Sequence, residues 1–202
     1  AIGIFCAVGG VEPQSETVWN QANRYHIPRL AYINKMDRIG ADYFHCIQMI
    51  RERLTPNAYP VNIPMGREDS FEGVIDLITM QAFYFDPLTF GYEVKHTPIP
   101  EKYLESAKSM REELLEKVCE FSDELLMLFI EGEEIPVSIL KEAIRKGTIS
   151  CQLVPVYCGS SLKNKGIQLL LDGICDFLPS PLDSGDTQGF EPVTHNPVNI
   201  SP

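Results

Sequence analysis

Three uninterrupted apolar runs, Ile2–Val8, Leu30–Ile33 and Leu153–Cys158, constrain the fold more than any other feature of the sequence. None alternates apolar with polar residues, so each reads as a strand buried on both faces, as in a parallel sheet covered by helices. The residues after each run agree. Gly9-Gly10 ends the first, Pro13 suits a first helical turn, and Val18, Trp19, Ala22 and Tyr25 recur at helical spacing before Pro28. The second ends at Asn34-Lys35-Met36-Asp37, and beyond Gly40 the residues Phe44, Ile47, Ile50 and Leu54 mark another helix. The third ends at Gly159-Ser160-Ser161. A helix carrying Ile167, Leu170, Leu171, Ile174 and Phe177 then opens at Asn164 or Lys165-Gly166 and stops at Pro179 and Pro181. This repetition predicts an α/β fold with a partial parallel sheet of three strands and flanking helices.

Between the second helix and the third strand the rhythm breaks at Thr55-Pro56-Asn57. Short β-type runs follow at Val61–Ile63, Gly73–Leu77 and Ala82–Phe85, then a loop-like stretch over 86–100. An amphipathic helix carries Leu104, Ala107, Met110, Leu114 and Val118 on one stripe. Ser122 caps a second helix that stops at Gly132, and a third runs from Pro136 to Lys146, closed by Gly147. The predicted organisation is a sheet domain in two segments, 1–56 and 151–183, interrupted by an α+β insert over 57–150. Residues 184–202, rich in Pro, Gly, Asp, Ser and Thr, read as a linker or tail.

Charge is concentrated in the insert. Of the formal net charge of −11, residues 60–150 carry −9, from 9 basic and 18 acidic side chains. A face of that sign repels phosphate backbones, which argues against direct nucleic-acid binding by the insert and suits a basic protein partner. No apolar run approaches the ~18 residues of a membrane span, and Ala1–Val8 has no basic residue before it, unlike a signal peptide. The six cysteines include no C-x-x-C, and the four histidines are scattered, so neither set has metal-ligand spacing. They read as reduced thiols and ordinary histidines of a cytosolic protein.

The chemistry is densest at Asn34-Lys35-Met36-Asp37, at the carboxyl end of an apolar strand, where α/β proteins hold their ligands. N-K-x-D at a strand end is the guanine-reading motif of GTPases. Guanine offers two donors side by side, N1–H and the exocyclic amine, and one carboxylate accepts both, which is the role of Asp37. Adenine has no such donor pair on that edge and leaves the carboxylate unpaired. Asn34 suits a bond to N7 and bracing of neighbouring loops, and the Lys35 stem lies along the flat ring. Gly159-Ser160-Ser161-Leu162-Lys163 stands where a second loop closes on the same base. There Ser160 and Ser161 allow backbone N–H groups to face the guanine oxygen, and Leu162 packs on the ring.

The chain closely resembles the translation elongation factor G family. The similarity rests on Gly10-Val11-Glu12-Pro13-Gln14-Ser15-Glu16-Thr17-Val18-Trp19 and Ile33-Asn34-Lys35-Met36-Asp37-Arg38, with Ile63-Pro64-Met65-Gly66, Leu128-Phe129-Ile130-Glu131-Gly132 and Ala143–Thr148. Gly159–Gly166 and Leu178–Asp183 complete it, so it runs almost unbroken from Ala1 to Asp183. The resemblance implies a ribosome-dependent GTPase acting in tRNA–mRNA translocation in the cytoplasm, of a bacterium rather than a mitochondrial matrix. It implies GTP and GDP as ligands, Mg2+ in the parent protein, and an insert, the G′ subdomain, that contacts the ribosomal stalk protein.

The sequence departs from that family in having no G-x-x-x-x-G-K-[ST], so no phosphate cradle and no Mg2+ ligand is expected in this chain. Asp37-Arg38-Ile39-Gly40 and Asp186-Thr187-Gln188-Gly189 spell D-x-x-G, but the first overlaps the base-reading motif and the second lies in the tail. No family histidine for water activation has a counterpart. The expectation is a fragment holding the base-reading half of a GTP site, without catalytic residues and inactive alone, with Ile2–Val8 as an exposed apolar edge. The alternative is a non-catalytic module that binds the ribosome or its stalk.

Overall fold

The computed structural model describes residues 1–184, 187–192 and 196–200. Its first elements follow the predicted rhythm: β1 (Ile2–Cys6), α1 (Pro13–Arg24), β2 (Leu30–Asn34) and α2 (Tyr43–Arg53). β1 and β2 pair in parallel, Ile2 opposite Leu30 through Cys6 opposite Asn34. β8 (Val154–Cys158) pairs in parallel on the other side of β2.

The sheet has four strands rather than three. Ala58–Pro60 forms β3, which pairs in parallel with β8 to give the order β1-β2-β8-β3. The sequence reading placed these residues on the insert side of its boundary, because three residues beside Pro56 and Pro60 are too few to show a period. β2 and β8 are central and apolar save for Asn34 at the end of β2, whereas β1 is an edge strand with Ile4 65% exposed. Its apolar run was read as buried on both faces, yet only Phe5 and, just beyond the strand, Ala7 are fully covered.

The insert opens with an antiparallel sheet of four consecutive strands, β4 (Asn62–Met65), β5 (Gly73–Asp76), β6 (Gln81–Phe85) and β7 (Val94–Pro98). The last of these lies in the stretch expected to be loop. Three helices follow, α3 (Glu101–Val118), α4 (Asp123–Glu131) and α5 (Val137–Ile149). The Ser122 hydroxyl accepts from Leu125 N at 3.3 Å, and Gly132 ends α4 at φ +69°, both as the sequence predicts.

Gly147 does not close α5. The helix runs two residues further, and Gly147 is buried inside it because a Cβ there would lie 2.5 Å from the Phe121 ring. A glycine used for close packing is indistinguishable in sequence from one used as a stop. After β8 come α6 (Ile167–Phe177) and the short α7 (Pro181–Ser184). The stretch read as linker or tail holds a two-stranded hairpin, β9 (Thr187–Phe190) and β10 (Pro197–Ile200). Asp186, the start of the second D-x-x-G, lies outside the described residues.

Both sheets and their helices share one buried apolar cluster, which includes Ile33 and Val156 from the parallel sheet and Ile75, Leu114 and Ile144 from the insert. Asn62, fully buried where β3 passes into β4, joins the two sheets. Its Oδ1 accepts from Cys158 N at 2.8 Å, and its carbonyl accepts from the Tyr43 hydroxyl at 2.6 Å. The insert is therefore seated on the carboxyl end of β8, beside the ends of the strands where ligands bind.

Candidate functional site

The end of β2 is locked to both neighbouring strands. Ala7 N donates to Asn34 O at 2.8 Å, Gly159 N to Ile33 O at 3.0 Å, and Met36 N to Gly159 O at 3.1 Å. Lys35 then takes a left-handed turn, φ +67°, that sends Met36 into the core at 1% exposure. Lys35 is left exposed and Asp37 half-buried on the outer side. The motif's spacing thus separates into an anchor, Met36, and three polar positions around it.

Asn34 is held from two directions. Its Oδ1 accepts from Lys35 N at 2.8 Å and Ser161 N at 3.0 Å, while its Nδ2 donates to Ser161 Oγ at 2.9 Å. These bonds fix the amide orientation and leave one Nδ2 hydrogen without an acceptor among the described residues. Ser160 is fully buried and closes its own loop: it exchanges backbone bonds with Lys165 at 2.9 and 3.0 Å, and its hydroxyl accepts from Lys163 N at 3.2 Å. The N–H groups of Ser160 and Ser161 are thus engaged within the protein. That of Leu162 has no acceptor among the described residues, and the Leu162 side chain is 86% exposed.

No described side chain hydrogen-bonds or ion-pairs with the Asp37 carboxylate. It lines a cavity of about 570 Å3 together with Leu162, Phe71, Phe90, Lys163 and Lys165. Burial, then neighbouring Lys163, pushes the Lys165 ammonium below its ordinary pKa, against the pull of Asp37 and Glu72. Lys165 Nζ donates instead to Phe71 O at 2.7 Å. A half-buried carboxylate that no described cation bonds, facing a cavity that Lys163, Lys165, Glu68 and Asp69 also line, suits a ligand with adjacent N–H donors. Asn34, Lys35 and Ser161 stand beside this cavity rather than in its lining. A smaller apolar cavity of about 260 Å3 is lined by Met36, Tyr43, Phe44, Ile63 and Tyr103 among others.

Residues 1–180 match the family model described as the elongation factor Tu GTP binding domain. The chain belongs to that family. It is 52% identical over 190 residues to elongation factor G 2 of Desulfotalea psychrophila, an alignment covering 94% of this chain. The chain spans 28% of the length of that curated relative. A crystal structure of a protein from Thermus thermophilus superimposes with a TM-score of 0.79 at 28% identity, covering 91% of this chain and 27% of the other.

This member of the family shows two contacts that its sequence gave no means of finding. Glu68, at φ +55° in the turn between β4 and β5, donates its N–H to Met36 O at 2.8 Å and accepts from Gly40 N through Oε1 at 2.8 Å. Asn164 Nδ2 donates to Phe90 O at 2.9 Å. The antiparallel sheet thereby grips both the loop after β2 and the loop after β8, and no local period or motif marks either contact. Among the described residues no group of three or more His, Cys, Asp or Glu converges to hold a metal ion. No described helix is long and apolar enough to cross a membrane.

Proposed function

We propose that this chain supplies the guanine-reading half of the GTP site of an elongation factor G-like, ribosome-dependent GTPase that acts in tRNA–mRNA translocation in the cytoplasm. The observation that carries the reading is the unpartnered Asp37 carboxylate at a cavity, next to an Asn34 amide already fixed by Ser161. In this reading Asp37 accepts from guanine N1–H and the 2-amino group. The remaining Asn34 Nδ2 hydrogen faces N7, the Lys35 stem covers one ring face, and the Leu162 N–H meets the guanine oxygen. Ser160 and Ser161 hold the loop in that shape. The bound nucleotide brings the phosphates whose hydrolysis the parent protein performs, with Mg2+. The residues of this chain bind and orient the base, and alone they bind weakly and hydrolyse nothing, since phosphate contacts dominate affinity in such sites.

Within the same proposal the insert docks on the ribosomal stalk protein. Supporting this, α4 presents Met127 and Ile130 at 55% and 70% exposure, beside Glu124, Glu131 and Glu133. Apolar residues rimmed by carboxylates suit an amphipathic basic surface.

The base-reading claim is tested by equilibrium binding of GDP, IDP and ADP to the full-length protein that carries this chain. IDP, which lacks the 2-amino donor, is expected to bind about ten-fold more weakly than GDP, and ADP more weakly still. Equal affinity for all three would remove Asp37 from the base. The docking claim is tested on ribosomes stripped of the stalk protein, where stimulation of GTP hydrolysis is expected to fall.

A further inference from the structure

The antiparallel sheet carries an aromatic ring into the candidate base site. Phe90, in the loop between β6 and β7, lines the cavity of about 570 Å3 that Asp37 and Leu162 also line. Its ring is 79% exposed. Its backbone sits at φ +51°, a left-handed conformation that a bulky non-glycine residue adopts only where its surroundings impose it.

Those surroundings belong to the second base-reading loop. Asn164 Nδ2 donates to Phe90 O at 2.9 Å, and Gln168 Nε2 donates to Gly91 O at 2.8 Å. Gly91, at φ +76°, lies so close that a Cβ there would stand 2.3 Å from Asn164 O. The segment that presents Leu162 therefore also sets the position of Phe90. Leu88, on the same loop, is 90% exposed and does not line the cavity.

We propose that Phe90 is a base-contact residue, through which the insert supplies an aromatic wall for the purine held by Asp37. The inference rests on the reading of Asp37 as the guanine acceptor. It adds that the insert is part of the nucleotide site and not only a docking platform. The chemistry fits a planar heteroaromatic ligand with a donor edge toward Asp37 and a face toward Phe90. Stacking of a base on one aromatic side chain changes affinity by about five-fold or more.

The test measures GDP and ADP binding to the full-length protein, unchanged and as Phe90→Gly, Phe90→Tyr and Leu88→Ala. Glycine removes the ring and suits the left-handed backbone, so the loop keeps its path. Phe90→Gly is expected to weaken GDP about five-fold or more, Phe90→Tyr, which keeps the ring, to weaken it less, and Leu88→Ala to bind as the unchanged protein does. Unaltered GDP binding in Phe90→Gly, alongside a preference of the unchanged protein for GDP over ADP, would overturn the role of Phe90 and leave Asp37 standing. Equal losses in Phe90→Gly and either Phe90→Tyr or Leu88→Ala would also overturn it, since loop shape and not the ring would then matter. No preference for GDP over ADP in the unchanged protein would bring down the Asp37 reading and this inference together.

Discussion

Asn34 and Ser161, 127 positions apart in the chain, hold each other through two hydrogen bonds, Nδ2 to Oγ at 2.9 Å and backbone N to Oδ1 at 3.0 Å. The pair fastens the end of β2 to the loop after β8 and fixes the distance between these two segments. In the proposed reading such preorganisation lowers the cost of binding, because the nucleotide need not order the loops.

A double-mutant cycle isolates that link. Asn34→Ala and Ser161→Ala, singly and together, are expected to show a coupling energy of about 0.5–1.5 kcal/mol in urea unfolding, the usual net worth of one hydrogen bond. Ser161→Ala keeps the backbone bond to Asn34, so the cycle reports the Nδ2–Oγ bond alone. Additive effects would show that the contact contributes nothing.

Asn62 is expected to matter more to stability than its place in a short β-type run suggests. It is fully buried, and its Oδ1 is the partner of the buried Cys158 N–H. Asn62→Ala leaves that donor unsatisfied and is expected to cost about 1–3 kcal/mol in urea or thermal unfolding. A loss below 0.5 kcal/mol, on the order of a surface change, would show that the bond is dispensable.

Gly147→Ala tests the corrected end of α5. Were Gly147 an open helical position, alanine would stabilise by up to about 1 kcal/mol. In the structure the added Cβ would meet Phe121 Cε2 at 2.5 Å and Leu153 Cβ at 3.0 Å. A net loss of about 1–3 kcal/mol is expected, as for overpacking elsewhere. A stabilised variant would contradict the close packing of Gly147 against Phe121 and Leu153.

Much of the fold is legible in the sequence because it rests on patterns that repeat. The apolar runs at Leu30–Ile33 and Leu153–Cys158 became β2 and β8, and the helical stripes became α1 to α6. What was missed is local geometry with no periodic trace: a three-residue strand at Ala58–Pro60, a packing glycine at Gly147, a hairpin in the 184–202 stretch. The candidate site residues Asn34, Lys35 and Asp37 could be nominated from the sequence because guanine recognition demands particular residue types at particular spacing. Glu68, Phe90 and Asn164 could not, since a backbone hydrogen bond or an exposed ring places little demand on neighbouring sequence.

The thiols give a pH-dependent prediction. Burial, then the neighbouring Cys6 and Asp42, raises the Cys46 thiol from an ordinary 9.0 to about 12. Below pH 9 both folded and unfolded chains hold that proton, and the contribution to stability is intact. Between about pH 9 and 12 only the unfolded chain releases it, so stability falls as pH rises, by up to about 1.4 kcal/mol per pH unit. Cys46→Ala is expected to lose stability at neutral pH but to show a shallower alkaline decline. In the native protein a thiol reagent at pH 8 is expected to reach exposed Cys175 well before buried Cys46, Cys119 and Cys158. Rapid labelling of all six would contradict the packing.

The most direct test of the account is the base selectivity of Asp37→Asn in the full-length protein. Asparagine turns half of the carboxylate's acceptor edge into a donor, which opposes guanine's 2-amino group and suits the 2-oxo group of xanthine. GDP affinity is expected to fall roughly 10- to 100-fold while XDP affinity rises, inverting the preference. An unchanged ratio of GDP to XDP binding would contradict the claim that Asp37 reads the base.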